Sequence, residues 1–118
     1  NHALYITGGN VKGFRRYTRD IFEDSMLKGD DCVLQVMRLC AVALPPPQNL
    51  ENGQEYVLYV WNECKIECKG NEHIRCVSDS GTPYYTKEVW IRGGMCRMVT
   101  LSLNKANNFW FSNIVQTR

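Results

Sequence analysis

Between Gly53 and Gly70 the chain reads GQEYVLYVWNECKIECKG, an alternation of apolar and polar residues sustained for more than a dozen positions. A period of two suits a β-strand with one dry and one wet face, whereas a helix would scatter the same residues around its axis. Tyr56, Leu58, Val60, Cys64, Ile66 and Cys68 share one face, broken at Asn62, and Glu63, Lys65, Glu67 and Lys69 share the other. The pattern predicts one long strand of an antiparallel sheet with a single wet face. In CVLQVMRLCAVAL, Cys32, Leu34, Val36, Cys40, Val42 and Leu44 repeat the period, interrupted at Arg38. The stretch PPPQNLENG separates the two, because prolines cannot donate to a sheet ladder and Asn52-Gly53 is a turn dipeptide. YYTKEVWI and MCRMVTLSL flank Arg92-Gly93-Gly94, where Gly-Gly predicts a tight hairpin, and NNFWFSNIV reads as a last strand.

Ahead of the strands the spacing is different. Val11, Phe14, Tyr17, Ile21 and Phe22 form a stripe at helical intervals, with Arg15, Arg16, Arg19, Glu23 and Asp24 mostly off it. Asn10 suits the helix start and Gly29 its stop. A striped helix and a one-faced sheet bury each other. The expected fold is therefore α+β: one N-terminal helix packed on a four- to five-stranded antiparallel sheet, stapled by disulfides. The 118 residues fit a single domain spanning positions 1–118, and no internal repeat or low-complexity tract stands out. The chain opens on Asn1 with no signal-like apolar segment, as a processed mature domain does.

Six cysteines, Cys32, Cys40, Cys64, Cys68, Cys76 and Cys96, are many for a reducing compartment, and none forms a Cys-x-x-Cys motif. An even count predicts up to three bridges, with about 15 pairings open, and hence a secreted, extracellular protein. Residues four apart on a strand lie ~13 Å apart, while bridged Cα atoms lie within roughly 7 Å. Cys64 is thus not expected to pair with Cys68, nor Cys32 with Cys40; cross-strand or strand-to-loop pairs are. The run Cys64-x3-Cys68-x4-His73-x2-Cys76 offers three thiols and an imidazole, the donor set of a structural zinc site. The same strand spacing sets two of those donors too far apart for one ion, so neither a metal nor a cofactor is expected, and His73 reads as a loop histidine.

Fourteen basic and twelve acidic residues leave a net charge of +2, too small and too evenly spread for a nucleic-acid footprint. No apolar run approaches the roughly 20 residues that cross a bilayer. Only His2 and His73 are available as imidazole bases, which argues against both thiol and serine nucleophiles. The acidic pairs Glu23-Asp24 and Asp30-Asp31 read as helix and turn charge, and Gly8-Gly9 and Gly93-Gly94 lack a phosphate-loop context. Catalysis is not expected.

In order, the arm YITGG, the segment FRRYTRDIFEDS, the strand VLQV, the stretch GQEYVLYVWNEC and then EVWIRGGM and TLS resemble a cystatin. That resemblance implies a sheet wrapped around one helix, and a wedge of glycine arm and two hairpins that enters the cleft of papain-like cysteine proteases. Carried over by position, the arm is Gly8 or Gly9 and the second-hairpin tryptophan is Trp90. The inhibitory Gln-x-Val-x-Gly loop has no counterpart, since ALPPPQNLENG stands in its place; Pro46, Pro47, Gln48 and Asn49 would be the loop's contact residues. Two functions follow. One is protease inhibition by that rim. The other is a secreted recognition module (pathogen effector, receptor ligand or gamete-surface protein) whose anchors are Tyr59 and Trp61 on the wet face, since aromatics dominate binding hot spots. The triplet Phe109-Trp110-Phe111 reads as core plus an exposed ring, or as an oligomer edge.

Overall fold

A computed structural model describes residues 17–92 and 95–116, so Gly8, Gly9 and the start of the expected helix, up to position 16, lie outside the described residues. The strands are β1 (Tyr17–Ile21), β2 (Ser25–Met26), β3 (Val33–Val36), β4 (Cys40–Leu44), β5 (Glu55–Val60), β6 (Cys64–Cys68), β7 (His73–Val77), β8 (Pro83–Thr86), β9 (Glu88–Ile91), β10 (Arg97–Asn104) and β11 (Phe109–Val115). Among the described residues the one helical turn is a 3-10 turn at Pro47–Asn49. The α+β expectation is therefore corrected: the described residues are nearly all β, in two mixed sheets ordered β1-β3-β5-β10-β11-β7-β8 and β2-β4-β6-β9.

The long strands of the sequence reading are each two strands in two sheets. Alternation breaks at Arg38 and Asn62 because the chain turns a corner there, at Met37-Arg38-Leu39 and Trp61-Asn62-Glu63. On both sides of each corner the predicted inward set is buried, from Leu34 and Val36 to Val42 and Leu44, and from Tyr56, Leu58 and Val60 to Cys64, Ile66 and Cys68. Only Cys32 of the two sets stays partly exposed.

The two corners are copies. VLQVMRLCAVAL (33–44) and VLYVWNECKIEC (57–68) share a Val-Leu-x-Val-x3-Cys pattern, and they lie one upon the other in register. Val33 pairs with Val57 in one sheet and Cys40 with Cys64 in the other, an offset of twenty-four residues in both. The first rung, β1 with β2, joins the same stack in parallel, Ile21 beside Val36 and Ser25 beside Val42. An internal repeat is thus present, and its strands pair in parallel rather than antiparallel. Rungs differ mainly in the return path between sheets: from Met26 to Val33 is seven residues, from Ala43 to Val57 fourteen. The longer return holds the three prolines. Beyond the third rung the ladders turn antiparallel, β10 on β5 and β9 on β6. The strands flanking Gly93-Gly94 therefore do not form a hairpin together, since β9 and β10 belong to different sheets.

The helical stripe fails for a physical reason. Of its described members only Ile21 is buried, while Tyr17 and Phe22 are each 53% exposed. Short helices owe their stability to tertiary burial, and here tertiary pairing pulls the segment into a strand. The decisive contact is Arg19 with Asp31, a residue the sequence reading left as turn charge. Asp31 is 2% exposed; its carboxylate accepts from Arg19 Nε at 3.2 Å, Arg19 Nη2 at 3.0 Å and the Lys28 amide at 2.8 Å. Phe22 packs outside, with the Arg38 guanidinium 5.8 Å from its ring centre.

The disulfide staples are corrected as well: Cys32, Cys40, Cys64, Cys68, Cys76 and Cys96 are all free thiols. Cys40 and Cys64 are in-register neighbours on parallel strands. Such strands lie about 4.7–4.9 Å apart with their side chains leaving side by side, whereas bridged Cβ atoms come to about 3.5–4.5 Å. Cys68 faces Leu44 rather than another cysteine. The thiols act as small core side chains instead.

Removing the Arg19 side chain strands a buried carboxylate. Arg19→Met is expected to lower unfolding free energy by about 2–3 kcal/mol, discounted from the fully buried case because Arg19 is partly exposed. Lys65→Met on the wet face should change it by less than about 0.5 kcal/mol. Urea denaturation measures both.

Candidate functional site

A cavity of about 500 Å³ opens where the margins of the two sheets meet, bounded by Tyr84 and Thr86 of β8, Glu88, Val89 and Trp90 of β9, then Arg92, Arg97 and Gln116. Its position follows from the chain path. β8 is the last strand of the seven-stranded sheet and β9 the last of the four-stranded one. Lys87 alone joins them, and its carbonyl accepts from the Cys68 amide at 2.8 Å to seat β9 on β6. Backbone groups of alternate β9 residues then point away from β6. Each outward carbonyl has a side-chain donor: Glu88 O takes Thr86 Oγ1 at 2.9 Å, Trp90 O takes Gln116 Nε2, and Arg92 O takes Arg97 Nη1 at 2.9 Å. The groups that cap this sheet margin are the ones that line the cavity.

Electrostatically the cavity is cationic. The Arg92 guanidinium lies 5.3 Å from the Trp90 ring centre, and its Nε is 3.7 Å from Glu63 Oε2. Glu88 is drawn toward Lys65 at 3.8 Å. Arg97 has no carboxylate partner among the described residues and spends one of its donors on the Arg92 carbonyl. Trp90 is half-buried. The arrangement supplies an aromatic wall, planar donors and a hydroxyl and amide rim, the usual ingredients of a small-ligand site in a cavity of this size.

The remaining sequence candidates are dispersed. Pro46, Pro47 and Gln48 border a different cavity of about 320 Å³, with Lys69, Gly70, Asn71, Glu72 and Asn108. Glu72 is buried there, its Oε2 accepting no hydrogen bond. Asn49 ends the 3-10 turn beside that cavity. Pro46–Asn49 therefore follows the Leu44 end of β4, beside Cys68, whereas Trp90 pairs with Lys65 toward the other end of β6. Tyr59 and Trp61 lie on the outer face, as expected: Tyr59 sits between Gln35 and Met98 in register, and Trp61 is 47% exposed, its Nε1 donating to Gln35 Oε1 at 2.7 Å. In the Phe109–Phe111 triplet Trp110 is fully buried, 5.6 Å from the Tyr56 ring, and Phe111 is exposed. β11 lies between β10 and β7 and is not an edge. Tyr85, Phe109 and Phe111 form an edge-to-face row at 5.3 and 4.8 Å, with Arg75 over Phe111.

Sequence reasoning found Trp90 by resemblance and missed Arg92, Arg97 and Gln116. No local signal pointed to them, because Arg92 follows β9 and Arg97 opens β10, strands of different sheets.

The thiol–imidazole run does not converge. His73 and Cys76 sit three apart on β7 and so point to opposite faces, with Cys76 buried. No group of three or more metal-ligating side chains gathers among the described residues. Burial pushes the Cys64 and Cys68 thiols up to about 12 and raises those of Cys40 and Cys76, so these sulfurs stay protonated at neutral pH.

No protein-family model matches the chain, and no curated protein or solved structure matches it significantly. Nothing in these comparisons indicates a relationship to the cystatins.

In native protein the exposed Cys96 is expected to react first with a thiol reagent at pH 8, and Cys64 and Cys68 only after unfolding. Cys96→Ser should abolish the fast phase. The folded protein holds the Cys64 and Cys68 protons to about pH 12, while the unfolded chain releases them near 9.0. Their stabilisation is whole below pH 9 and drains away as pH rises through 12, which alkaline urea titrations would follow.

Proposed function

We propose that this is a non-catalytic recognition protein whose ligand seats in the cavity at Trp90, Arg92 and Arg97. The observation that carries the reading is the convergence there, from three separate segments of the chain, of the Trp90 indole, two guanidinium groups and an amide, with Tyr84 and Thr86 of a fourth segment completing the lining. Sites of this composition bind and orient; they hold no paired nucleophile and base. The protonated state of the buried thiols supports the same view, because a thiol is a nucleophile only as thiolate.

Recognition is favoured over protease inhibition by placement. An inhibitory wedge needs its loop and its tryptophan side by side, and here Pro46–Gln48 and Trp90 border separate cavities. With the cysteines unbridged, the cysteine count no longer argues for an extracellular setting.

Titrating a diverse library of small fragments into isotope-labelled protein tests the proposal. Shifts are expected to concentrate on the Trp90 indole and the Arg92 and Arg97 side chains, and to vanish there in Trp90→Ala, with the fold checked by the dispersed amide spectrum. Shifts centred on Tyr85, Phe109 and Phe111 would relocate recognition to the outer face and overturn it.

A further inference from the structure

We infer that the Trp90 cavity is specific for a carboxylate carried on a small apolar or planar body. The inference rests on the recognition reading and gives it a ligand class. Three observations lead to it.

The first is charge. Arg92 and Arg97 face the cavity with Glu88 as the single acid on its lining, and Glu88 leans toward Lys65 outside that set. Glu63 offsets Arg92 and Lys65 offsets Glu88, which leaves the single positive charge of Arg97, one that a monoanion neutralises and a phosphate dianion exceeds. The second is donor geometry. A guanidinium carries five donors in a planar fork, and Arg97 commits Nη1 to the Arg92 carbonyl at 2.9 Å. That bond restrains the group, while Nε and Nη2 have no hydrogen-bond partner among the described residues and together can give two parallel hydrogen bonds to a carboxylate. Arg92 cannot serve equally, because its guanidinium already lies over the Trp90 ring and its Nε is 3.7 Å from Glu63 Oε2. Arg97 is therefore the anchor, and Trp90 with Arg92 the wall on which a flat or apolar body rests.

The third observation excludes a competing mode. Open sheet margins attract extended peptides through backbone pairing. Along β9 the outward carbonyls of Glu88, Trp90 and Arg92 already accept from Thr86, Gln116 and Arg97. An added strand would displace all three donors, so the ligand meets side chains rather than backbone.

The shared chemistry has two sources, a free organic acid or an acidic residue of a protein partner, and one experiment separates them. The probes are benzoate, its neutral isostere benzamide, phenyl phosphate, and the capped dipeptides acetyl-Phe-Glu-amide and acetyl-Phe-Gln-amide. Binding is followed by the Trp90 indole resonance and by calorimetry. Benzoate is expected to bind at least about tenfold more tightly than benzamide and more tightly than phenyl phosphate, with affinity falling as salt rises. Arg97→Met should erase the preference for benzoate, and Arg97→Lys should retain only part of it. A Glu dipeptide that outcompetes benzoate assigns the site to a protein partner; the reverse assigns it to a free acid. Equal binding of benzoate and benzamide overturns the inference while leaving recognition at Trp90 standing. Failure of every probe to move the Trp90 indole overturns it too. Because the isostere comparison uses the unmodified protein, it decides even if the Arg97 variants do not fold.

Discussion

Everything in this molecule is positioned by the in-register stacking of one chain segment on its copy, 57–68 on 33–44, across a corner that both share. Parallel ladders demand that both faces or a closed interior be covered. Here closure comes from winding: each segment contributes a strand to either sheet, so the inward side chains of both meet in one contiguous core. Like residues then lie over like, Val36 over Val60 and Val42 over Ile66, which makes packing in one rung the template for the next. Stability in such stacks is shared between neighbours rather than concentrated in one cluster.

The candidate site is a by-product of where that winding stops. Once β9 and β10 join antiparallel, the two sheets end at different strands, and the space between their margins must be closed by side chains. Gln116 reaches across to Trp90 O from the end of β11, and Arg97 reaches to Arg92 O from the start of β10. Closing a margin with a guanidinium brings charge into a half-enclosed place, and a charge held there is more effective than one in open water. Architecture and electrostatics have one origin here.

The inward faces were legible in the sequence because a period of two survives any rearrangement of strands. Leu34, Val36, Tyr56, Leu58, Val60 and Ile66 are buried as the alternation requires. The single breaks at Arg38 and Asn62 carried more information than they first show, since a polar residue on a dry face, followed by resumed alternation, marks a corner. The shared Val-Leu-x-Val-x3-Cys pattern was present too, but a repeat of two copies with different outward residues is easily lost among alternating strands. The region before Asp31 was illegible for another reason. Its helical spacing is genuine, yet the partner that decides its conformation is an acid twelve residues away, and a local pattern carries no trace of such a contact. The arginines at the cavity were hidden likewise: their meeting depends on β9 and β10 entering different sheets.

The unequal return paths have a further bearing. Phase between rungs is set at the Arg38 and Asn62 corners and along the ladders, so the connection at 45–54, between β4 and β5, is under no obligation to repeat. A detour of that sort, leaving and rejoining the stack at fixed points, can lengthen, shorten or change wording without disturbing a ladder, provided Leu50 still reaches the core. It is the natural place for this chain to vary between lineages, and the natural place to graft a foreign segment.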